Sequence, residues 1–224
     1  MKQYFIRILH MLIGLFLYAL GIIVALKANV GYAPWEVFHV GLANTIGLSL
    51  GVTSIIVGII IVTIVTLLGE KLGLGTISSM LFTGIFIDII LLIDIIPIIN
   101  NKVIGFAMLI MGLFIISIGS FFYIKSGFGA GPRDNLMVVL ARKIKIPVGI
   151  CRFIIEFLVT VIGWKLGGML WLGTVISAIA IGFCIQITFK VFRFDVTSVK
   201  HESLADTYNA LFGKNSKKDN NEVR

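Results

Sequence analysis

The chain has 224 residues, 58% of them hydrophobic and only 13% charged, with a mean hydropathy of +1.05. Soluble domains carry about a quarter charged residues, so this composition excludes a soluble globular protein and points to a bilayer. The formal net charge of +8 would suggest nucleic acid in a soluble protein, but the basic residues fall mainly in loops and tail, where the positive-inside rule accounts for them, so no nucleic-acid partner is expected.

A helix needs about 20 apolar residues to cross a ~30 Å hydrocarbon core. In chain order, such runs fall at residues 5–27, 51–69, 75–97, 102–124, 149–166 and 171–192, which predicts an all-α polytopic membrane protein with six transmembrane helices. The first run is long and lacks a small-residue cleavage site, so no cleavable signal is expected. Between the first two runs lies "GYAPWEVFHVGL", Gly31 to Leu42, and after the fourth lies "GFGAGPRDNLMVVL", Gly127 to Leu140. The helical segments that these open, 34–46 and 132–144, are too short to cross: about 12 residues reach only ~18 Å. They are either half-helices re-entering the membrane or helices lying at its surface. Beyond about Arg193 the chain turns polar, with a short amphipathic helix expected near 202–212 and a solvated tail after it. Cys151 and Cys184 sit inside apolar runs without metal-ligand spacing, so they are expected to be reduced packing residues, and neither metal nor cofactor is implied.

The chain repeats itself. Gly14-Leu15-Phe16 recurs as Gly112-Leu113-Phe114, and the same offset, held without a gap, pairs Gly21 with Gly119, Gly31 with Gly129, Pro34 with Pro132, Gly51 with Gly149, Gly75-Thr76 with Gly173-Thr174 and Gly84 with Gly182. Residues 1–98 form a first membrane repeat, 99–192 a second, and 193–224 a polar cytoplasmic tail. Each copy holds three spans and one short segment, and three is odd, so the second copy enters from the opposite side: the repeat is inverted. With both termini cytoplasmic, only Lys27, Lys102 and Lys165 fall outside, whereas Arg142, Lys143, Lys145, Lys190, Arg193 and the tail stay inside. Eight spans in two parallel copies are the alternative.

Two inverted copies of one device suit alternating access, in which each copy presents the same feature from an opposite face. Pro34 and Pro132 fit first helical positions, Glu36 and Asp134 fall in the first turn where carboxylates favour the helix dipole, and Gly31, Gly129 and Gly131 allow the preceding chain to turn or approach closely. Residues 27–33 and 125–131 are long enough, at up to ~3.3 Å each, to carry the two helix starts toward each other. Paired N-termini attract anions, and Arg133 adds a planar donor. Glu36 and Asp134 oppose that, and bind a cation, accept a proton or merely cap their helices. His39, one turn after Glu36, suits a proton relay or an interfacial hydrogen bond. Within the spans, Asp88 is the best-placed proton or cation carrier on depth alone, and Arg152 and Glu156 are spaced for an ion pair on one face.

The motifs "GYAPWEVFHVGL" and "GAGPRDNLM", Arg152 with Glu156, and "LGGMLWLGT" together resemble the YczE/YitT-type family of bacterial integral membrane proteins, closest to the YczE branch. The resemblance implies a multi-pass protein of the bacterial plasma membrane and no particular substrate. Function therefore rests on the residues. The expected activity is a secondary transporter, or permease, for a small polar or anionic solute, with its site at the paired motifs. The alternative is a non-transport accessory or scaffold whose basic cytoplasmic face holds partner proteins or anionic lipids. No Ser/His pair in the membrane, HExxH, dithiol or P-loop is present, so an enzyme is not expected. Besides the lipid bilayer and a small-molecule solute, a homodimer or accessory subunit remains open as partner.

Overall fold

The computed structural model describes residues 2–70, 72–195, 199, 202–204 and 206. Among them the helices run α1 (Lys2–Lys27), α2 (Pro34–Ile46), α3 (Leu50–Leu67), α4 (Leu74–Ile93), α5 (Lys102–Lys125), α6 (Pro132–Ile144), α7 (Val148–Lys165) and α8 (Leu172–Val191). Their bounds follow from local punctuation. Pro34 and Pro132 begin α2 and α6, where a missing N–H leaves nothing unpaired. Gly47, at a φ of 70°, stops α2 by returning its N–H to the Ala43 carbonyl, and the Ser49 hydroxyl then accepts from the Val52 N–H to open α3. The limits of α2, α3 and α4 recur 98 residues later as those of α6, α7 and α8.

Five helices, α1, α3, α4, α5 and α8, are long and apolar enough to cross a membrane, and a sixth span results if α6 and α7, bent by 119°, count as one. The expectation of six independent spans therefore holds only with α7 joined to α6. The cause is composition: the 18 residues of α7 include Arg152, Glu156 and Lys165, and buried charge is costly in lipid unless it faces protein or water. Large apolar side chains such as Leu67, Leu92 and Val175 point outward, as they do where lipid replaces water as solvent.

At the centre α1 and α5 cross antiparallel, with Gly14 against Gly119 and Gly21 against Gly112. A Cβ on Gly14 would lie 2.8 Å from the Gly119 carbonyl oxygen, and one on Gly119 would lie 2.7 Å from that of Gly14. Only glycine lets the two backbones approach so far, and close packing is what binds helices where no hydrophobic drive exists. Ala19, Ile22, Ile23, Leu113 and Ile116 fill the surrounding core together with Ile87 and Cys184. Cys151 and Cys184 are both free and buried.

The loops before the short helices dock crosswise. The Gly173 N–H at the start of α8 donates to the Val30 carbonyl at 2.7 Å, and the Gly75 N–H at the start of α4 donates to the Phe128 carbonyl at 2.7 Å. The first N–H groups of a helix have no partner within it, so each loop satisfies a helix start lying in the other half of the chain. Gly31 and Gly129 sit at φ values of 104° and 119°, which glycine alone adopts readily. Gly131 does not share that requirement: its φ of −63° is the same as that of Ala33 in the first copy. The short helices also pack crosswise, α2 on α7 and α6 on α3.

One end of the bundle gathers the Lys27–Asp94 ion pair, at 2.6 Å, and Lys102, which lies 4.7 Å from the Trp171 ring centroid. The other end holds Arg7, whose guanidinium donates to the Ser126 carbonyl and pairs with Glu202 at 2.6 Å. The Glu202 N–H donates to the Gly127 carbonyl, and the Leu204 N–H donates to that of Leu72. The start of the tail is therefore docked on the bundle rather than solvated. Ser203 and Asp206 exchange capping hydrogen bonds there, and the rest of the helix expected near 202–212 lies outside the described residues.

The glycine contacts predict a graded result. Gly14→Ala should lower stability by about 1–3 kcal/mol through overpacking, whereas Gly182→Ala, which meets nothing within 4 Å, should stay within about 0.5 kcal/mol. Thermal unfolding in detergent checks both.

Candidate functional site

The first turns of α2 and α6 meet. Arg133, the second residue of α6, donates to Glu36 Oε1 at 3.3 Å and to His39 Nδ1 at 3.2 Å, and its guanidinium stacks 4.8 Å from the centroid of the Trp35 ring. An arginine side chain only donates, so His39 Nδ1 accepts and the ring proton sits on Nε2. That nitrogen and Trp35 Nε1 are buried without a hydrogen-bond partner among the described residues. Three residues of one short helix thus converge on one residue of the other, with hydrogen bonding, charge and ring stacking acting together.

Beside this junction lies a cavity of about 340 Å³, a size common for small-molecule sites. Its polar wall combines His39, Arg133, Asp134, Arg152 and Glu156, and Tyr18 and Tyr123 reach it from α1 and α5. The remaining lining mixes aliphatic side chains such as Val57, Ile61, Ile116 and Ile185 with the hydroxyls of Ser54, Ser79, Thr83 and Ser120. Arg152 pairs with Glu156 at 2.8 Å. Asp134 has its surface open to the cavity and makes no hydrogen bond or ion pair among the described residues.

The sequence candidates separate into three groups. His39, Gly131, Pro132, Arg133, Asp134, Arg152 and Glu156 line the cavity, and Glu36 stands behind it as the partner of Arg133. Gly31 and Gly129 serve the crosswise loop docking, and Pro34 is buried at the start of α2. Asp88 lies elsewhere: its carboxylate accepts from the Ser49 hydroxyl at 2.5 Å and from the Gly51 N–H at 2.7 Å. There it holds the start of α3, away from the cavity. Tyr18, Ser79, Ser120 and Tyr123 were not singled out in the sequence, yet all face the cavity. The available signal was a set of hydroxyls inside otherwise apolar spans.

Residues 5–190 match a family of unknown function, DUF6198. The chain belongs to this family. Among relatives of this DUF6198 chain, the uncharacterized membrane protein YczE of Bacillus subtilis is 30% identical over 78% of the chain and 81% of that protein. An uncharacterized protein of Haemophilus influenzae is 28% identical over 80% of the chain and 84% of its own length, and the uncharacterized protein YyaS of Bacillus subtilis is 26% identical over 78% and 88%. The resemblance read from the Gly-Pro-acid motifs is thereby borne out, and the DUF6198 chain is a membrane protein. No solved structure matches it.

Glu36 is only 12% exposed at its side chain, while Glu70, paired with Arg142 at the surface, is 29% exposed beside a largely solvated arginine. Glu36→Gln leaves Arg133 without its counter-charge and should cost about 1–3 kcal/mol. Glu70→Gln should cost at most about 1 kcal/mol. Unfolding midpoints of the two variants measured side by side check the difference.

Proposed function

We propose that the protein is a secondary transporter of the bacterial plasma membrane, with both termini cytoplasmic, that moves a small polar solute by alternating access between two inverted repeats. The observation that carries this reading is the cavity at the junction of two short helices, one from each copy of the repeat, lined by Trp35 and His39 of α2 and by Arg133 and Asp134 of α6. Inverted-repeat transporters place their sites at such interrupted helices, where the repeats meet.

Two further observations support it. The equivalent helices α1 and α5 cross antiparallel through equivalent glycines, as a pseudo-two-fold axis in the membrane plane requires and two parallel copies would not produce. The symmetry also fails at one place, where a transporter caught in one state should fail. In the first repeat α3 and α4 pack through Gly51 and Gly84: a Cβ on Gly51 would lie only 2.1 Å from the Gly84 carbonyl oxygen. Their equivalents, Gly149 on α7 and Gly182 on α8, meet nothing within 4 Å. Both α7 and α8 line the cavity but do not pack on each other as α3 and α4 do.

The alternate state exchanges these roles: α7 and α8 close through Gly149 and Gly182 while α3 and α4 part. Small residues are what a closing helix pair needs on its facing sides, and these two serve no packing purpose in the open arrangement. In alternating access the cavity then faces the other side of the membrane. Arg133 and its partners sit at the fixed centre about which the repeats move.

The test is cross-linking. On a cysteine-free background (Cys151→Ala, Cys184→Ala), Pro147→Cys with Gln186→Cys should form an intramolecular disulfide under mild oxidation in membranes, because their repeat equivalents Ser49 and Asp88 touch side chain to side chain, at 2.5 Å, in the closed pair. Adding Gly182→Trp, a bulky residue where nothing lies within 4 Å in the open arrangement, should reduce the cross-link without lowering the amount of folded protein. A pair that never cross-links, at any oxidant exposure that leaves the protein folded, contradicts the reading.

A further inference from the structure

The cavity's charges do not balance, and the imbalance identifies its ligand. Two guanidiniums, Arg133 and Arg152, face it, and each is already bonded to a carboxylate, Glu36 at 3.3 Å and Glu156 at 2.8 Å. His39 is neutral, since its Nδ1 accepts from Arg133. Asp134 is then the one carboxylate of the site with no bonded partner among the described residues. Neither arginine reaches ion-pair distance of it. With Asp134 ionised, the site carries one negative charge that no side chain pairs.

Asp134 is exposed to the cavity, and a carboxylate there with no bonded partner attracts a ligand group of opposite sign. An anionic solute would double the imbalance, and the arginine expected to receive it is committed to Glu36 and stacked on Trp35. A zwitterion would leave the imbalance unchanged. A cation removes it. The lining beyond the charges suits a mainly apolar body attached to that cation: Val57, Ile61, Met80, Ile116 and Ile185 are apolar and Tyr18 contributes an aromatic ring, beside the hydroxyls of Ser54, Ser79, Thr83 and Ser120. Such a wall favours burial of hydrocarbon over a hydrated metal ion.

We propose that the cavity takes a small organic cation, an amine with an apolar body, whose ammonium group sits against Asp134 between the two neutralised arginine–glutamate pairs. This rests on the permease reading of the same cavity and narrows its solute from polar or anionic to cationic. Asp134 is the repeat equivalent of Glu36. The first copy's acid is therefore spent on joining the short helices, and the second copy's acid is left for the ligand.

The test uses three probes of one carbon skeleton, n-butylammonium, butyrate and butanol, with the full-length protein in lipid nanodiscs. A ligand selective for the folded state raises the unfolding midpoint by mass action. Butylammonium should raise it saturably, and butyrate and butanol should not. Asp134→Asn should weaken the butylammonium effect at least about tenfold, as expected on removing one partner of a desolvated charge pair. Asp134→Glu, which keeps the charge, should retain a saturable response and so separates lost binding from lost folding. A response to butyrate in place of butylammonium would overturn the cationic assignment, as would silence from all three probes or an undiminished butylammonium response in Asp134→Asn. None of these outcomes bears on the Pro147–Gln186 cross-link, so the ligand class and the alternating-access reading fail independently.

Discussion

The structure depends on one side chain standing between two short helices. Arg133 opens α6 and reaches across to Trp35, Glu36 and His39 in the first two turns of α2. Neither helix is long enough to cross a membrane, and neither is covered by its own half of the chain. Arg133 ties their starts together with charge, hydrogen bonds and ring stacking at once, in surroundings of low dielectric where each is strengthened. The cavity exists beside that junction because two helices that end inside the fold leave space that a through-going helix would fill.

Interrupted helices bring a second constraint. Backbone that is neither helical nor exposed must find partners for every N–H and C=O, and each failure in a membrane costs several kcal/mol. The chain meets this by exchange. The Val30 and Phe128 carbonyls accept from Gly173 and Gly75, and the Thr76 hydroxyl donates to the Ala130 carbonyl at 2.7 Å. Each long helix start thus supplies the donors that a loop from the other half requires. In the inverted-repeat reading, this exchange and the α1–α5 crossing hold the halves together, leaving the α3–α4 and α7–α8 contacts free to differ.

Much of the helical layout was legible in the sequence because its signals are local. Gly-x-x-Pro marks helix entry wherever it occurs, apolar run length marks a span, and an ungapped offset of 98 residues carries from one copy to the other. The cavity was legible in part for the same reason: Arg133, Asp134, Arg152 and Glu156 are charged residues in apolar company, which lipid penalises unless protein or water receives them. What stayed hidden depends on contacts between distant segments. Asp88 looked like a carrier from its depth in α4, yet it holds the N-terminus of α3 through Gly51 and Ser49. Nothing local explains the glycines of the two "LGT" motifs, yet Gly173 is required because the Val30 carbonyl oxygen comes within 2.3 Å of where its Cβ would be. Composition marked the tail as solvated, while Arg7 and two backbone hydrogen bonds dock its beginning.

The central claim is that the α3–α4 and α7–α8 pairs are two versions of one gate, closed in alternation around a fixed junction. Pulsed electron–electron distance measurement between spin labels tests it most directly. Labels belong at Val52 and Ile85 on the first pair, and at their repeat equivalents Ile150 and Phe183 on the second; all four are exposed. In nanodiscs, the account predicts two distances for each pair, with the shorter one gaining population on one side as the longer one gains on the other. A single unchanging distance in both pairs, across pH and lipid composition, would contradict it.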